Sequence, residues 1–317
     1  MIGGLNDLAN FDKMIRRFIV LISVVCLALT GYGQQLTIAS YNIRYQNSSD
    51  AKEGNGWEQR LPAICDLVQY HDFDIWGAQE VLHGQLEDLL SCLSDYTHVG
   101  VGRDDGKTKG EYAPIFWKKD KFELLDSGHF WLSEDPTYPN KGWDAALPRI
   151  CTWGHFKEKE EGTVFWFFNL HMDHRGVVAR EKSAALVLEK ILAMVQSEPV
   201  VLTGDFNVDQ THASYAVIHD SDILVDAYEA AAFRYAPTGT FNNFDINLKT
   251  NSRIDHVFLS PSLRVDRYGL LTDFYFSTND TPADSIKSAN FPDEVSLIKH
   301  TARLPSDHYP VVVTVNF

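Results

Sequence analysis

The stretch VVLTGDFN, residues 200–207, is an apolar, β-branched run that stops at a carboxylate and an amide, Asp205 and Asn207. Val, Leu and Thr in succession read as a strand, and Gly, Asp and Asn mark where it ends. The same pattern recurs along the chain: TIASYN stops at Asn42, DIWGAQE at Glu80, WFFNLHMDH at His171 to His174, RID at Asp255, and SDH presents Asp307 and His308 before a last apolar run. Any one of these ends could be a turn or a cap. Six strand ends carrying Asn, Glu, His or Asp, without a lysine or arginine among them, are hard to obtain from turn chemistry. In open α/β folds ligands collect at one end of the strands, so these residues are expected on a common rim.

Ten strands are predicted: 36–43, 73–81, 96–103, 113–119, 122–132, 149–157, 163–172, 200–207, 254–260 and 309–317. That is more than one ordinary sheet holds. Fewer segments have helical periodicity. The clearest is 179–196, where Ala184, Leu188, Ile191, Leu192 and Val195 recur at helical spacing; a second helix is expected to start with Pro62 in its first turn, and a third to cover 83–93. QNSSDAKEGNG and STNDTPADSIKSANFPDE read as surface loops. The fold class is α/β, a layered sandwich, with a single domain over 34–317.

The 317 residues carry 28 Lys and Arg against 43 Asp and Glu, a formal net charge of −15, with no basic run. A protein that tracks long duplex DNA by counterion release shows a basic face, so extended, non-specific duplex binding is disfavoured, while short phosphate esters remain open. Lys13, Arg16 and Arg17 precede the apolar run FIVLISVVCLAL (18–29) and the small residues TGYG, the order of an export signal over residues 1–33, with Met14 as an alternative start. The expectation is a periplasmic or extracellular protein, not stably inserted in a membrane, with lipid anchoring at Cys26 disfavoured by the SVV before it. Cys65, Cys92 and Cys151 remain, an odd and sparse set that implies neither a disulfide framework nor a zinc site.

Carboxylate and amide oxygens gathered at one locus suit a hard cation such as Mg²⁺. A histidine beside them, oriented by a carboxylate on its far nitrogen, can hold a proton near neutral pH. Together they describe metal-assisted attack of water on phosphorus.

The set SYNIRY, WGAQEV, NLHMDH, LTGDFN, RIDHVFLS and PSDHYPV resembles, in order and spacing, the DNase I-like endonuclease/exonuclease/phosphatase superfamily. The resemblance implies a four-layer α-β-β-α sandwich, two packed mixed β-sheets flanked by helices. It implies Glu80 as a metal carboxylate with Asn42 beside it and Asp307 given to the metal or to structure. His308 becomes the catalytic histidine, Asp255 its acidic partner, and Asp205 the group that orients or deprotonates water. Asn207 and His171 become holders of the phosphoryl oxygens. Either Asp205 or His308 could be the base. Some branches carry an acidic residue where this chain has Arg44, so one metal ion, Mg²⁺ or Mn²⁺, is expected rather than two, and Arg44 could face the substrate phosphate.

Substrate choice must come from loops, which supply Trp131, Tyr138, Trp143, Arg149 and Arg175 to stack a base or grip a head group. HMDHRG and GWDAALPR resemble an exported bacterial branch related to deadenylase-like exonucleases. The expected activity is a monomeric Mg²⁺-dependent phosphodiesterase or nuclease on short, single-stranded nucleic acids or nucleotides. The alternatives are a sphingomyelinase-like or inositol-phosphate hydrolase and, more remotely, a non-catalytic binding module.

Overall fold

A computed structural model describes residues 35–277, 292, 294–295 and 297–317. The segment 1–33, expected to be an export signal, and most of the polar stretch STNDTPADSIKSANFPDE lie outside the described residues. Two large mixed sheets form the body. The first has the spatial order β10 (Phe233–Tyr235), β12 (Arg264–Leu270), β15 (Val311–Asn316), β1 (Gln35–Asn42), β2 (Ile75–Gln79), β4 (Ile115–Lys118), β3 (Tyr96–Val99). The second has the order β5 (Phe122–Trp131), β6 (Ile150–Glu158), β7 (Val164–His171), β8 (Val200–Asp205), β11 (Asp255–Leu259), β9 (Val225–Asp226). A small pair, β13 (Tyr275–Phe276) and β14 (Ala302–Arg303), stands apart.

The sheets pack face to face through Ile38, Ile75, Val313 and Val315 from the first and Phe165, Phe167, Val201 and Val257 from the second, all buried. Helices α2 (Trp57–Tyr70) and α3 (His83–Cys92) cover the outer face of the first sheet, setting Ile64, Val68 and Leu89 against Ala39, Trp76 and Phe116. Helix α4 (Val177–Met194) covers the second with Ala184, Val187 and Ile191, helped by Tyr215 and Ile218 of α5 (Ala213–His219). The short helices α1 (Ser48–Lys52) and α6 (Ala227–Ala230) complete the order. The result is the expected four-layer sandwich. Among the described residues no helix is long and apolar enough to cross a membrane.

Several sequence expectations are corrected. Helix α2 begins at Trp57, so Pro62 lies inside it rather than in its first turn; the packing of buried Trp57, Arg60 and Ile64 outweighs one lost backbone bond. In α4 the buried stripe runs through Ala184, Val187, Leu188 and Ile191, whereas Leu192 faces solvent at 63% exposure. The loop QNSSDAKEGNG contains α1, capped by the Asn47 side chain on Asp50 N–H. Strand β12 is unexpected because Arg264, Asp266 and Arg267 mask its alternation and a bulge interrupts it between Val265 and Arg267. Cys65 and Cys92 form a disulfide joining α2 to α3, with Cα atoms 6.4 Å apart, against the expectation of none; Cys151 is free and buried.

Topology brings the polar strand ends together. β1 and β2 are parallel, as are β7 and β8, so Asn42, Glu80, His171 and Asp205 leave their strands in one direction. β11 and β15 run antiparallel to β8 and β1, so they enter the sheets at the same edge, with Asp255 directly opposite Asp205 and the SDH turn just ahead of Val311. Beneath that edge the sheets are cross-linked by a buried polar network: Gln79 donates to Asn169 Oδ1 (2.7 Å), whose Nδ2 donates to the Ala78 carbonyl (2.7 Å). A Cβ on Gly77 would lie 2.3 Å from Asn169 Oδ1 and from Thr203 Oγ1, so only glycine lets the network close.

Candidate active site

A cleft of about 550 Å³ opens at this edge, lined by Arg44, Glu80, Arg149, His171, Asp205, Asn207, Asp307 and His308, with Glu111 and Phe241 among its other walls. Asp255 lies just behind His308.

On the acid–base side, His308 Nδ1 donates to Asp255 Oδ2 at 2.8 Å, with both residues almost wholly buried. Burial alone would lower the imidazole, but the Asp255 carboxylate and its hydrogen bond outweigh it, so His308 sits well above its ordinary value. Its Nε2 faces Asp205 Oδ2 at 3.8 Å, too far for a direct hydrogen bond. Asp205 accepts from the backbone N–H of Asn207 (2.9 Å) and from Asn42 Nδ2 (3.0 Å). Burial, then the Asp255 charge, pushes the Asp205 carboxyl up to about 7, where a base works best near neutral pH.

His171, whose Nε2 lies 3.6 Å from the same Asp205 oxygen, has the contrary character. Asn207 Nδ2 donates to the Met172 carbonyl (3.0 Å), which fixes the amide orientation, and therefore also donates to His171 Nε2 (3.1 Å). That nitrogen is an acceptor, so the proton is on Nδ1. Burial, reinforced by the Arg149 charge, holds His171 neutral, well below its ordinary value. The Nδ1–H has no partner among the described residues; Glu111 Oε2 is 3.7 Å away. Arg149, 4% exposed, is held by Asp173 (3.4 Å) and by His174 Nδ1 (3.0 Å), and its second terminal nitrogen is likewise buried without a partner. Two unpaired buried donors on one wall call for an anion.

The third wall is acidic. Glu80 adopts φ +61° and Arg44 φ +59°, left-handed conformations that nonglycine residues avoid unless their surroundings impose them. Glu80 accepts from Tyr45 N–H (3.1 Å) and Asn42 Nδ2 (3.2 Å). The Arg44 guanidinium pairs with Asp50 (2.8 Å) and reaches Asp307 (3.4 Å) and Glu80 (4.0 Å). Asp307 is pushed up by burial and, against the His308 charge, by Glu80. Two crowded carboxylates with a cationic side chain drawn between them fit a site for a divalent ion. Asp205, Asp255 and His308 also bring ligand atoms within 4.8 Å of one another. That trio, however, is already accounted for by the 2.8 Å imidazole–carboxylate bond, which a bound ion would have to displace.

The cleft thus gathers the expected catalytic and metal-site residues with Arg44 and Arg149, but not Arg175, which is exposed and outside the lining, its backbone N–H donated to Asp173. Asn42 arrives as a donor: its amide oxygen accepts Arg44 N–H (3.0 Å) and its nitrogen donates to the Glu80 and Asp205 carboxylates. The expected stacking rings are elsewhere. Trp131 is buried with its indole N–H on the Arg103 carbonyl, and neither Tyr138 nor Trp143 lines the cleft. The aromatic walls are Tyr45 and Phe241 instead, the latter edge-on to the His308 ring at 5.1 Å. Glu111, gripped at both oxygens by Arg103 (2.7 and 2.8 Å), was also unforeseen. It precedes β4, which runs antiparallel to β2 and so begins at the functional edge; reading strand starts as carefully as strand ends would have found it.

The model of the endonuclease/exonuclease/phosphatase family matches residues 39–308, spanning every one of these groups. The chain belongs to this family. Its members are phosphoester hydrolases, and the DNase I-like sandwich described above is their fold. Among solved structures, a family member from Bacteroides thetaiotaomicron is 53% identical with a TM-score of 0.82, covering 90% of this chain and 98% of that one. A mannosyl-6-phosphatase from Bacteroides thetaiotaomicron is 54% identical with a TM-score of 0.81, covering 89% of this chain and all of that one. The uncharacterized protein L388 of Acanthamoeba polyphaga mimivirus is 28% identical over 270 residues, 81% of this chain and 91% of its own length. Zebrafish (D. rerio) TDP2 with single-stranded DNA, 17% identical with a TM-score of 0.63, shares the fold.

Proposed function

We propose that this chain is a divalent-cation-dependent phosphatase that removes phosphate from a phosphorylated sugar, of the mannose 6-phosphate kind, outside the cytoplasm. The observation that carries the reaction is the gathering of unlike groups in one cleft: unpaired buried donors on His171 and Arg149, the His308–Asp255 pair, and the Glu80 and Asp307 carboxylates, with Asp205 Oδ2 between the two histidines at 3.6 and 3.8 Å. The sugar phosphate is suggested by the 54% identical mannosyl-6-phosphatase. Mg²⁺, or Mn²⁺, held by Glu80 and Asp307 would supply Lewis-acid stabilisation of the phosphoryl oxygens. Arg149 and the Nδ1–H of His171 bind and orient those oxygens. Asp205, set near neutrality, takes the proton from the attacking water; protonated His308, steadied by Asp255, stabilises charge gathering on phosphorus oxygens. The P–O ester bond breaks, the departing sugar oxygen takes a proton from solvent and Asp205 gives back the one it took, leaving the sugar alcohol and inorganic phosphate.

The nuclease or phosphodiesterase reading from the sequence is the competitor, favoured by the Tyr45 and Phe241 rings, on which bases could stack. Export is supported by the disulfide Cys65–Cys92, a bond typical of oxidising compartments, together with the leader-like N-terminus. Mannose 6-phosphate, bis-p-nitrophenyl phosphate and a short single-stranded oligonucleotide, assayed side by side with Mg²⁺, decide between the readings. Faster turnover of the monoester is expected, and preference for either diester would reject the phosphatase.

A further inference from the structure

Arg60, on α2, is wholly buried, yet its hydrogen bonds go to main-chain carbonyls. Nε donates to Asn55 O (2.9 Å), one terminal nitrogen to both Ile43 O (2.7 Å) and Pro305 O (2.9 Å), and the other to Arg44 O (3.0 Å). Trp57 and Phe244 rings flank the guanidinium at 5.4 and 5.5 Å. Burying a guanidinium is expensive, and a core position needs no charge; an apolar residue of similar volume would serve packing at lower cost. What the planar fork provides is four fixed directions from one group.

Those directions lead to the acidic wall. Ile43 and Arg44 follow Asn42 at the exit of β1, and Pro305 precedes Ser306, Asp307 and His308. The Arg44 carbonyl is held a second time, by buried Gln85 Nε2 (3.1 Å). Pinning that carbonyl maintains Arg44 at φ +59°, and this turn aims the next N–H, of Tyr45, at Glu80 Oε2 (3.1 Å). The Pro305 bond and the Ser306 Oγ bond to Asn42 O (2.6 Å) tie the Asp307 turn to the same strand exit. We infer that Arg60, assisted by Gln85, is a positioning residue for the cation site, locking the Arg44 turn to the 305–308 turn so that Glu80 and Asp307 converge. This rests on the reading of those two carboxylates as the cation's holders.

The test is Mn²⁺ affinity measured by electron paramagnetic resonance without substrate, on the whole protein and on Arg60→Lys and Gln85→Met. Lysine keeps the charge but not the fork, and Gln85→Met removes the second hold on Arg44 together with the Oε1 that accepts Gln46 N–H (2.9 Å) and Leu82 N–H (3.3 Å). Both variants are expected to bind Mn²⁺ about 10–100-fold more weakly, as when an outer partner of a metal ligand is lost. Turnover at saturating Mn²⁺ should recover toward the wild-type rate in variants that are fully folded before the metal is added, the condition that separates weaker binding from lost stability. If Arg60→Lys does not fold, Gln85→Met decides alone. Unchanged affinity in the folded variants, with only a lower melting temperature, overturns the inference while leaving the cation reading intact. A wild-type protein that binds no Mn²⁺ overturns both.

Discussion

Asp255→Asn probes the acid–base pair directly. The substitution keeps the shape of the side chain that meets His308 Nδ1 at 2.8 Å but removes the charge that holds the buried imidazole protonated. With that charge gone, only Asp205 and Asp307 still oppose desolvation, and His308 should fall well below its wild-type position. Loss of the correct protonation state should lower turnover by roughly 10²–10⁴-fold, the range of a general acid–base group. The stability cost at neutral pH should be only about 1–3 kcal/mol, because the imidazole can shed its proton rather than remain a buried unpaired charge. The pH dependence distinguishes this account from simple damage. In the wild type His308 is raised, so its stabilisation is complete below about pH 6.5 and is lost as pH rises through the folded value. In the variant the largest raising influence is removed, so less of that low-pH stabilisation remains. The gap in melting temperature between the two should therefore be wider at pH 5 than at pH 8. A constant gap, or a variant with the wild-type rate, would refute the reasoning.

Glu80→Gln should weaken Mn²⁺ binding by more than the roughly 10–100-fold typical of an outer partner, read by the same resonance titration. Arg149→Met should raise both KM and the inhibition constant of inorganic phosphate by about 10–100-fold, the equivalent of a charged hydrogen bond, with a smaller change in kcat. Replacing Cys65 and Cys92 together by alanine opens a cross-link 27 residues apart and should lower unfolding free energy by about 3–4 kcal/mol in a denaturant titration, while turnover at 25 °C stays near wild type because neither sulfur reaches the cleft.

How far the sequence carried the reading depended on whether a signal is local. Strand ends are local: Asn42, Glu80, Asp205, Asp255 and His308 could be picked out because an apolar run visibly meets a polar residue, and topology then gathers them. Strand β12 was hidden because charges on its solvent face and a bulge break the alternation. The stacking role given to Trp131 failed for a different reason, since an aromatic in a loop can turn inward to satisfy its N–H on a distant carbonyl. The Cys65–Cys92 pairing was illegible because it depends on how two helices lie side by side. Arg60 shows the same limit: nothing in WEQRLPAIC announces that one arginine will collect carbonyls from residues 43, 44, 55 and 305.

The claim that this cleft hydrolyses phosphate esters with a bound cation is tested most directly by p-nitrophenyl phosphate turnover in metal-stripped protein, before and after Mg²⁺ is restored, for the wild type and His308→Ala. Activity that returns with Mg²⁺ in the wild type, and stays at least about 10²-fold lower in the variant, is the predicted result. Turnover that survives metal stripping, or that His308→Ala leaves at the wild-type rate, would contradict it.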